Sequence, residues 1–148
     1  MNIIEILEPK LIHTDVSAKN KEEILDYLGN SFFEEGYVDD VESYLKDVYK
    51  REQEGSTGIG NFVAIPHGKS AHVKKNGVAI GILKDEIEWE TLDDKGVRVV
   101  ILFGVGNDVE SAKEHLRLLA GFARKLGNDE TVSKLINATT DEVIDAFK

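Results

Sequence analysis

His67 is the next-to-last residue of a stretch whose residue types suit phosphoryl chemistry, GSTGIGNFVAIPHG at positions 55–68. Pro66 fixes its own φ and restricts the residue before it to extended geometry, and Gly68 allows a sharp turn, so the pattern predicts an imidazole at the end of a strand. Imidazole titrates near neutral pH and is a competent nucleophile. The glycines between positions 55 and 60 can turn N–H groups toward an anion. Together these features indicate phosphoryl transfer.

The same spacing also fits a plainer interpretation, in which a glycine-rich loop precedes a strand and the histidine after it is an ordinary polar loop residue. From spacing alone this interpretation is the favoured one. The stretch does not match the G-x-x-x-x-G-K-[ST] nucleotide loop, because no Lys-Ser/Thr pair follows the glycines. It does not match the dinucleotide fingerprint either, because its glycines precede a strand.

Two other residues could act on an anion held at His67. Arg51 comes at or just beyond the end of a predicted helix, where a cation is favoured by the helix dipole, but its forked guanidinium also suits a phosphate. His115 is the polar member of an apolar helical stripe. It is either a satisfied, partly buried histidine or a residue that points toward His67. Spacing leaves both alternatives open for each residue.

The stretch at 55–68 resembles the phosphorylation-site motif of the enzyme IIA components of the bacterial phosphotransferase system, fructose/mannitol class. A second matching segment is KEHLRLLAGFARKL at 113–126, and the resemblance covers nearly the whole chain. One departure is Phe62, where the family usually has glycine. The resemblance implies one α/β domain over residues 1–148, with three α/β/α layers and a mixed central sheet.

The resemblance also implies a reaction. A phosphorylated histidine-containing carrier protein would give its phosphoryl group to Nε2 of His67. This phosphohistidine would pass the group to a cysteine of a cognate IIB protein or domain, and a sugar would receive it during uptake, with peripheral association with a membrane permease complex. The family has an active-site arginine at the position of Arg51 and a second histidine at that of His115. Neither a metal nor another cofactor is expected, because the phosphoryl group comes from a protein.

Loop groups and one hydroxyl complete the predicted phosphate site. The transition state of phosphoryl transfer is loose, so the need is for positioning and for donors around the equatorial oxygens. The predicted phosphate-binding residues are Thr57, Gly58, Gly60 and Gly68.

Two other function classes compete with the sugar-transport carrier. Nitrogen-related phosphotransferase proteins resemble the same motif and act by phosphorylation-dependent binding of other proteins, with the histidine as a switch. A metal hydrolase built on the four histidines has little support, because His67 and His72 lack helical i,i+4 spacing and the chain has no H-E-x-x-H. No role is assigned to His13 or His72.

Composition limits the partners. The chain has 148 residues, 41% of them apolar and 31% charged, which is typical of one globular domain. Its net charge of −10 argues against nucleic acid and anionic membranes as partners and fits a partner with a basic docking surface.

The absence of cysteine excludes disulfides and thiolate sites in this chain. The N-terminus lacks the features of a signal peptide, so a cytoplasmic protein is expected.

Hydrophobic patterning predicts the elements that must position these residues. Strands are expected at 77–83 and 97–104, with short ones at 3–7, 62–65 and 86–89. Two helices precede the main strands and three follow, which predicts a mixed sheet between helices. The expected helix starts are Ser17 or Asn20, the latter with Glu23, then Asp39 with Glu42, Asp108 or Ser111, Asn128 or Asp129, and Thr139 with Glu142.

Overall fold

The computed structural model describes residues 2–148 of the chain. The helices are α1 (Ile3–Ile6), α2 (Lys21–Glu34), α3 (Val41–Glu54), α4 (Val109–Leu126), α5 (Asp129–Leu135) and α6 (Thr140–Ala146). The strands are β1 (Ile12–Val16), β2 (Gly58–Gly60), β3 (Val63–Ala64), β4 (His67–Lys69), β5 (Gly77–Ile87) and β6 (Val97–Val105). Within residues 2–148, no helix has the length and apolar character needed to cross a membrane.

The sheet is mixed, as predicted. Its order is β1-β5-β6-β3-β2, and β4 pairs with β6 on the same side as β3. The centre is the long antiparallel pair of β5 and β6, while β3 and β4 both run parallel to β6. β1 runs parallel to β5 at one edge, and β2 is antiparallel to β3 at the other. The predicted central strand is therefore confirmed as β6, which brings the segment around His67 against the middle of the sheet.

Helices cover both faces of the sheet, so the predicted three α/β/α layers are confirmed. Alternate residues of β5 and β6 point to opposite faces, as the pleat of a strand requires. Ile80 and Phe103 belong to the core shared with α4, α5 and α6. Ala79 and Leu102 belong to the core shared with α2 and α3.

Side-chain caps begin the helices close to the predicted positions. Asn20 accepts a hydrogen bond from the N–H of Glu23, and Asp108 and Asn128 cap the first turns of α4 and α5. Thr139 and Glu142 form the full reciprocal capping box that was predicted for the last helix. The prediction for α3 was wrong by one residue, since the cap is Asp40, which accepts from the N–H of Ser43 at 3.0 Å.

Two predictions near the N-terminus differ from the structure. The predicted edge strand at 3–7 was wrong, because Asn2 and Glu5 cap each other reciprocally and begin the short helix α1 instead. The patterns predict no strand at Ile12–Val16, which is β1.

The predicted short strand at 86–89 is not a separate element, because β5 continues without a break to Ile87.

Candidate active site at His67

His67 begins β4, beside Phe103 in the parallel pairing with β6. The carbonyl of Pro66 accepts the Phe103 N–H at 3.0 Å, which joins the residue before the histidine to the central strand. Nδ1 of His67 lies 3.1 Å from the carbonyl oxygen of Ile65. A carbonyl can only accept, so Nδ1 carries the proton and Nε2 of the neutral ring keeps its lone pair.

The chain enters this segment through three consecutive residues in the left-handed region, with φ of 89° at Gly60, 56° at Asn61 and 66° at Phe62. Glycine adopts this conformation without strain, whereas other residues pay about 1–2 kcal/mol. Phe62 therefore takes a backbone shape that glycine would favour. Its carbonyl still accepts the N–H groups of Arg98 and Val99, at 2.8 and 3.0 Å, so the departure leaves the pairing of β3 intact.

His115 lies on α4 directly beside His67. The two ring centroids are 4.8 Å apart, and the Phe103 ring contacts His115 edge-on at 5.1 Å. His115 is buried, and its Nδ1 has no hydrogen-bond partner among the described residues. Burial is the main cause that lowers the pKa of His115 to about 4, and repulsion from protonated His67 and from the charges of Lys69 and Arg51 lowers it further. The ring is therefore neutral at neutral pH.

Arg51 occupies the last turn of α3, inside the helix rather than beyond it. Its Nη1 donates to the carbonyl of Gly55 at 3.0 Å, and Nε lies 4.0 Å from a carboxylate oxygen of Glu54. The charge of Arg51 lowers the pKa of both His67 and His115. The structure therefore brings the predicted histidines and arginine into one electrostatic environment.

Gly68 provides close packing instead of the predicted turn. It lies within β4, opposite Gly104 of β6. A Cβ added at Gly68 would stand 2.9 Å from the backbone nitrogen and 3.0 Å from the Cα of Val48. Only glycine lets α3 approach the strand this closely, and Arg51 lies one turn beyond Val48 on the same helix. Gly68 thus sets the separation between the helix carrying Arg51 and the strand carrying His67.

The glycine loop contacts the protein's own β5–β6 connection. The N–H of Gly58 donates to the Ser56 hydroxyl at 3.1 Å, and Gly58 pairs with Thr91. A Cβ at Gly60 would stand 3.2 Å from Asp93, whose carboxylate accepts the N–H of Asn61 at 2.9 Å. A phosphate role for Gly58 and Gly60 stays a prediction.

Thr57 is buried, and its hydroxyl donates to the Glu52 carboxylate. The hydroxyl therefore has a partner within the protein. Its predicted role as a phosphate ligand also stays a prediction.

Several charges act on His67. Its pKa is lowered, mainly by burial and also by Arg51, against the opposing effects of the hydrogen bond to Ile65 and the carboxylates of Glu52 and Glu54. Glu52 and Lys69 were not singled out from the sequence. Lys69, whose charge lowers the pKa of His115, follows His67 by two residues and shares its side of β4. The sequence predicts a turn at Gly68 rather than a strand, so alternation does not mark Lys69. No sequence signal marks Glu52.

Comparison with known proteins identifies the family. Residues 5–148 match the family described as "Phosphoenolpyruvate-dependent sugar phosphotransferase system, EIIA 2". The chain belongs to this family. Relatives at 28% identity are named as IIA components specific for mannitol and for fructose.

Two curated EIIA relatives show how much of each protein is shared. The chain is 32% identical over 146 residues to the mannitol-specific phosphotransferase enzyme IIA component of Halalkalibacterium halodurans, covering 96% of this chain and 93% of that protein. It is 30% identical over 149 residues to the 2-O-alpha-mannosyl-D-glycerate-specific EIIABC component of Escherichia coli K12, covering 99% of this chain. The chain spans only 22% of the length of that relative.

A solved EIIA structure has the same architecture along the whole chain. The crystal structure of the nitrogen regulatory protein IIA-Ntr from Neisseria meningitidis superposes with a TM-score of 0.89 at 26% sequence identity. The match covers 99% of both chains. The fold that surrounds His67 is therefore that of a IIA protein.

Proposed function

We propose that this chain is a cytoplasmic phosphocarrier that accepts a phosphoryl group on Nε2 of His67 from a phosphorylated histidine-containing carrier protein. It then passes the group to a cysteine of a cognate IIB protein or domain, for coupled uptake and phosphorylation of a sugar. The observation that carries the proposal is the hydrogen bond from Nδ1 of His67 to the carbonyl of Ile65, at 3.1 Å, because it leaves the Nε2 lone pair free.

The acceptance step exchanges one phosphorus–nitrogen bond for another. The Nε2 lone pair of His67 forms the new bond while the bond to the donor histidine breaks, and the donor ring keeps that electron pair. Nδ1 keeps its proton, and its hydrogen bond to Ile65 holds the ring in one orientation throughout. Transfer to the IIB thiolate repeats the exchange, since sulfur attacks phosphorus and His67 leaves as a neutral ring. No redox change and no cofactor enters either step.

The surrounding groups suit a temporary carrier. Arg51 supplies one permanent positive charge near the histidines, and neutral His115 can donate one hydrogen bond through a protonated ring nitrogen. Charge spread over the equatorial oxygens in the transition state is stabilised by such fixed donors. A larger cluster of cations would hold the phosphorylated form too tightly to release it. The net charge of −10 favours partners with basic docking surfaces.

A second function is supported by a specific observation, the similarity over 99% of both chains to the nitrogen regulatory protein of Neisseria meningitidis. In a protein of that branch, the phosphoryl group on His67 would change the local charge and thereby the choice of protein partner. The acceptance step is the same in both functions, and only the second step differs.

The experiment is incubation of the purified chain with the phosphorylated histidine-containing carrier protein, followed by intact mass spectrometry. We expect one acid-labile phosphoryl group per chain, located on His67 by peptide mapping. Addition of a IIB protein should then remove it in the transport function. A phosphorylated chain that keeps the group with every IIB protein tested would favour the regulatory function, and a chain that accepts no phosphate would contradict both.

A further inference from the structure

A continuous series of hydrogen bonds runs from α2 to the His67 ring. Lys21 Nζ donates to one carboxylate oxygen of Glu52 at 2.6 Å, and the Thr57 hydroxyl donates to the other. The Thr57 carbonyl accepts the N–H of Ile65 at 3.0 Å. The Ile65 carbonyl in turn accepts from Nδ1 of His67 at 3.1 Å. The Ile65 carbonyl, which selects the His67 tautomer, is therefore linked to the Glu52 carboxylate through the backbone and the hydroxyl of Thr57.

The Glu52 carboxylate differs from an ordinary surface carboxylate. Its side chain is only 6% exposed, and each of its two oxygens has a donor. The Lys21 ammonium also lies 4.6 Å from the centroid of the Trp89 ring, which restricts where the ammonium can move. A buried carboxylate with both oxygens satisfied is held in one geometry, because loss of Lys21 would leave its charge unpaired and loss of the Thr57 hydroxyl would leave one oxygen without a donor.

Glu52 also joins the two segments that carry the site. It follows Arg51 in the last turn of α3, and its partner Thr57 lies in the loop that leads to β2. The same carboxylate thus fixes the end of the helix with the guanidinium relative to the loop that holds Ile65.

We infer that Glu52 is a positioning residue for His67, which acts through Thr57 to hold the Ile65 carbonyl and hence the free Nε2 in place. The inference rests on the phosphocarrier function proposed above. It assigns to the Thr57 hydroxyl a role in holding the loop, in place of phosphate binding.

The effect of the Glu52 charge on His67 must be separated from the effect of Glu52 on the position of the loop, and Glu54 provides a matched control. The carboxylates of both Glu52 and Glu54 raise the pKa of His67. Glu54 is 69% exposed, and its nearest cation is Arg51 at 4.0 Å. Glu52→Gln and Glu54→Gln therefore remove the same charge two residues apart, but only the first disturbs the bonds to Lys21 and Thr57.

Thr57 provides a second pair of variants without any change of charge. Thr57→Val removes the hydroxyl at nearly constant shape, whereas Thr57→Ser keeps it. Because Thr57→Val leaves Glu52 in place, it tests the inference even where Glu52→Gln fails to fold.

The measurement is the rate at which each variant accepts phosphate from the phosphorylated carrier protein, per folded molecule, at several carrier concentrations. We expect Glu52→Gln and Thr57→Val to lower kcat by about 10- to 100-fold, the scale of a small misplacement of a reacting group, with KM unchanged. Glu54→Gln should stay within about fivefold of the parent chain, as expected for an exposed pair. Thr57→Ser, which keeps the hydroxyl, should recover most of the rate that Thr57→Val loses.

Nitrogen NMR of the His67 ring gives a readout that does not require transfer. We expect the Nδ1–H tautomer to dominate in the parent chain and in Thr57→Ser, and to lose population in Thr57→Val. An unchanged tautomer in Thr57→Val would overturn the inference whatever the rate, because a slower rate alone is also what the loss of a phosphate-binding hydroxyl predicts. If the parent chain accepts no phosphate, the proposed function fails, and the tautomer in Thr57→Val alone supports or overturns the positioning role.

Discussion

The rings of His67 and His115 lie with their centroids 4.8 Å apart and their planes inclined by 45°. Burial lowers the pKa of both, so the pair is neutral at neutral pH. Two adjacent imidazolium rings would repel each other, whereas two neutral rings can provide one nucleophile and one donor. A phosphoryl group on His67 would place negative charge beside His115 and strengthen any hydrogen bond that His115 donates.

We expect His67→Ala to abolish acceptance of phosphate from the carrier protein, because the Nε2 nucleophile is lost. The matched control is His72→Ala, which removes a half-exposed histidine whose partner is Asp39 at 2.9 Å. The control should be labelled as fully as the parent chain in intact mass spectrometry. Full labelling of His67→Ala would place the acceptor elsewhere.

Arg51→Lys keeps the positive charge but loses the planar fork, so we expect transfer through His67 to slow by about tenfold or more with little change in melting temperature. Arg124 lies in the last turn of α4, as Arg51 does in α3, and Arg124→Lys is therefore the control. Stopped-flow or quenched-flow transfer rates check the prediction. Equal rates in the two variants would reduce Arg51 to a cation that serves the helix end.

Gly68→Ala should separate α3 from β4, because the new Cβ would meet backbone atoms of Val48 at 2.9 and 3.0 Å. We expect a lower melting temperature, a loss of about 1–3 kcal/mol typical of overpacking, and slower transfer as Arg51 moves away from His67. A Cβ at Gly55 would meet nothing within 4 Å, so Gly55→Ala is the control and should be nearly neutral. Neutral behaviour of Gly68→Ala would show that the helix can shift at no cost.

Local signals predicted much of this fold. The cap at Thr139 and the β-branched run of β6 are each encoded within a few neighbouring residues, and both occur where predicted. The strand Ile12–Val16 has no such signal, because its polar centre does not alternate cleanly with apolar residues. In the structure its backbone is also irregular, with a φ of 56° at Asp15. Its pairing with β5 depends on residues far along the chain.

The candidate site likewise has one part that local sequence predicts and another that depends on distant residues. His67 is marked by its own motif, whereas the partners of the loop come from distant segments. Glu52 meets Lys21 across 31 positions of sequence, and the Asn61 N–H meets Asp93 across 32. Such contacts exist only in the folded chain, so patterns within a short stretch of sequence do not predict them.

The lowered pKa of His115 makes stability depend on pH. The unfolded chain takes up a proton near pH 6.5, whereas the folded chain resists it until about pH 4. The unfolded state therefore binds more protons in this window, so stability is full above pH 6.5 and falls as pH drops toward 4. The expected loss is about 3 kcal/mol, at about 1.4 kcal/mol per pKa unit.

Protonation of carboxylates with lowered pKa, such as Asp108 and Glu142, also destabilises the folded chain in acid. The test therefore compares the parent chain with a variant at His115. Denaturant unfolding of the parent chain and of His115→Gln between pH 7 and pH 4 isolates the histidine. We expect a shallower decline in His115→Gln. Parallel curves would mean that His115 takes up its proton in the folded chain as easily as in the unfolded one.

The last prediction is that His115 assists transfer without carrying the phosphate. Its ring lies beside His67 but is buried, with Leu118 and Phe122 in the same stripe of α4. A neutral imidazole at this place can donate to a phosphoryl oxygen on His67. This contact is most valuable when the group leaves for the IIB protein, because negative charge then shifts from one nucleophile to the next.

His115→Ala should therefore still accept phosphate at His67 but release it to the IIB protein more slowly, by roughly the 10²–10⁴-fold of a positioned donor. A merely structural histidine predicts another pattern, a lower melting temperature with both half-reactions little changed. The two half-reactions are measured separately, together with thermal melting of the same samples. If only the melting temperature falls, His115 is a core residue, and the donors available to the phosphoryl group reduce to Arg51 and the backbone near His67.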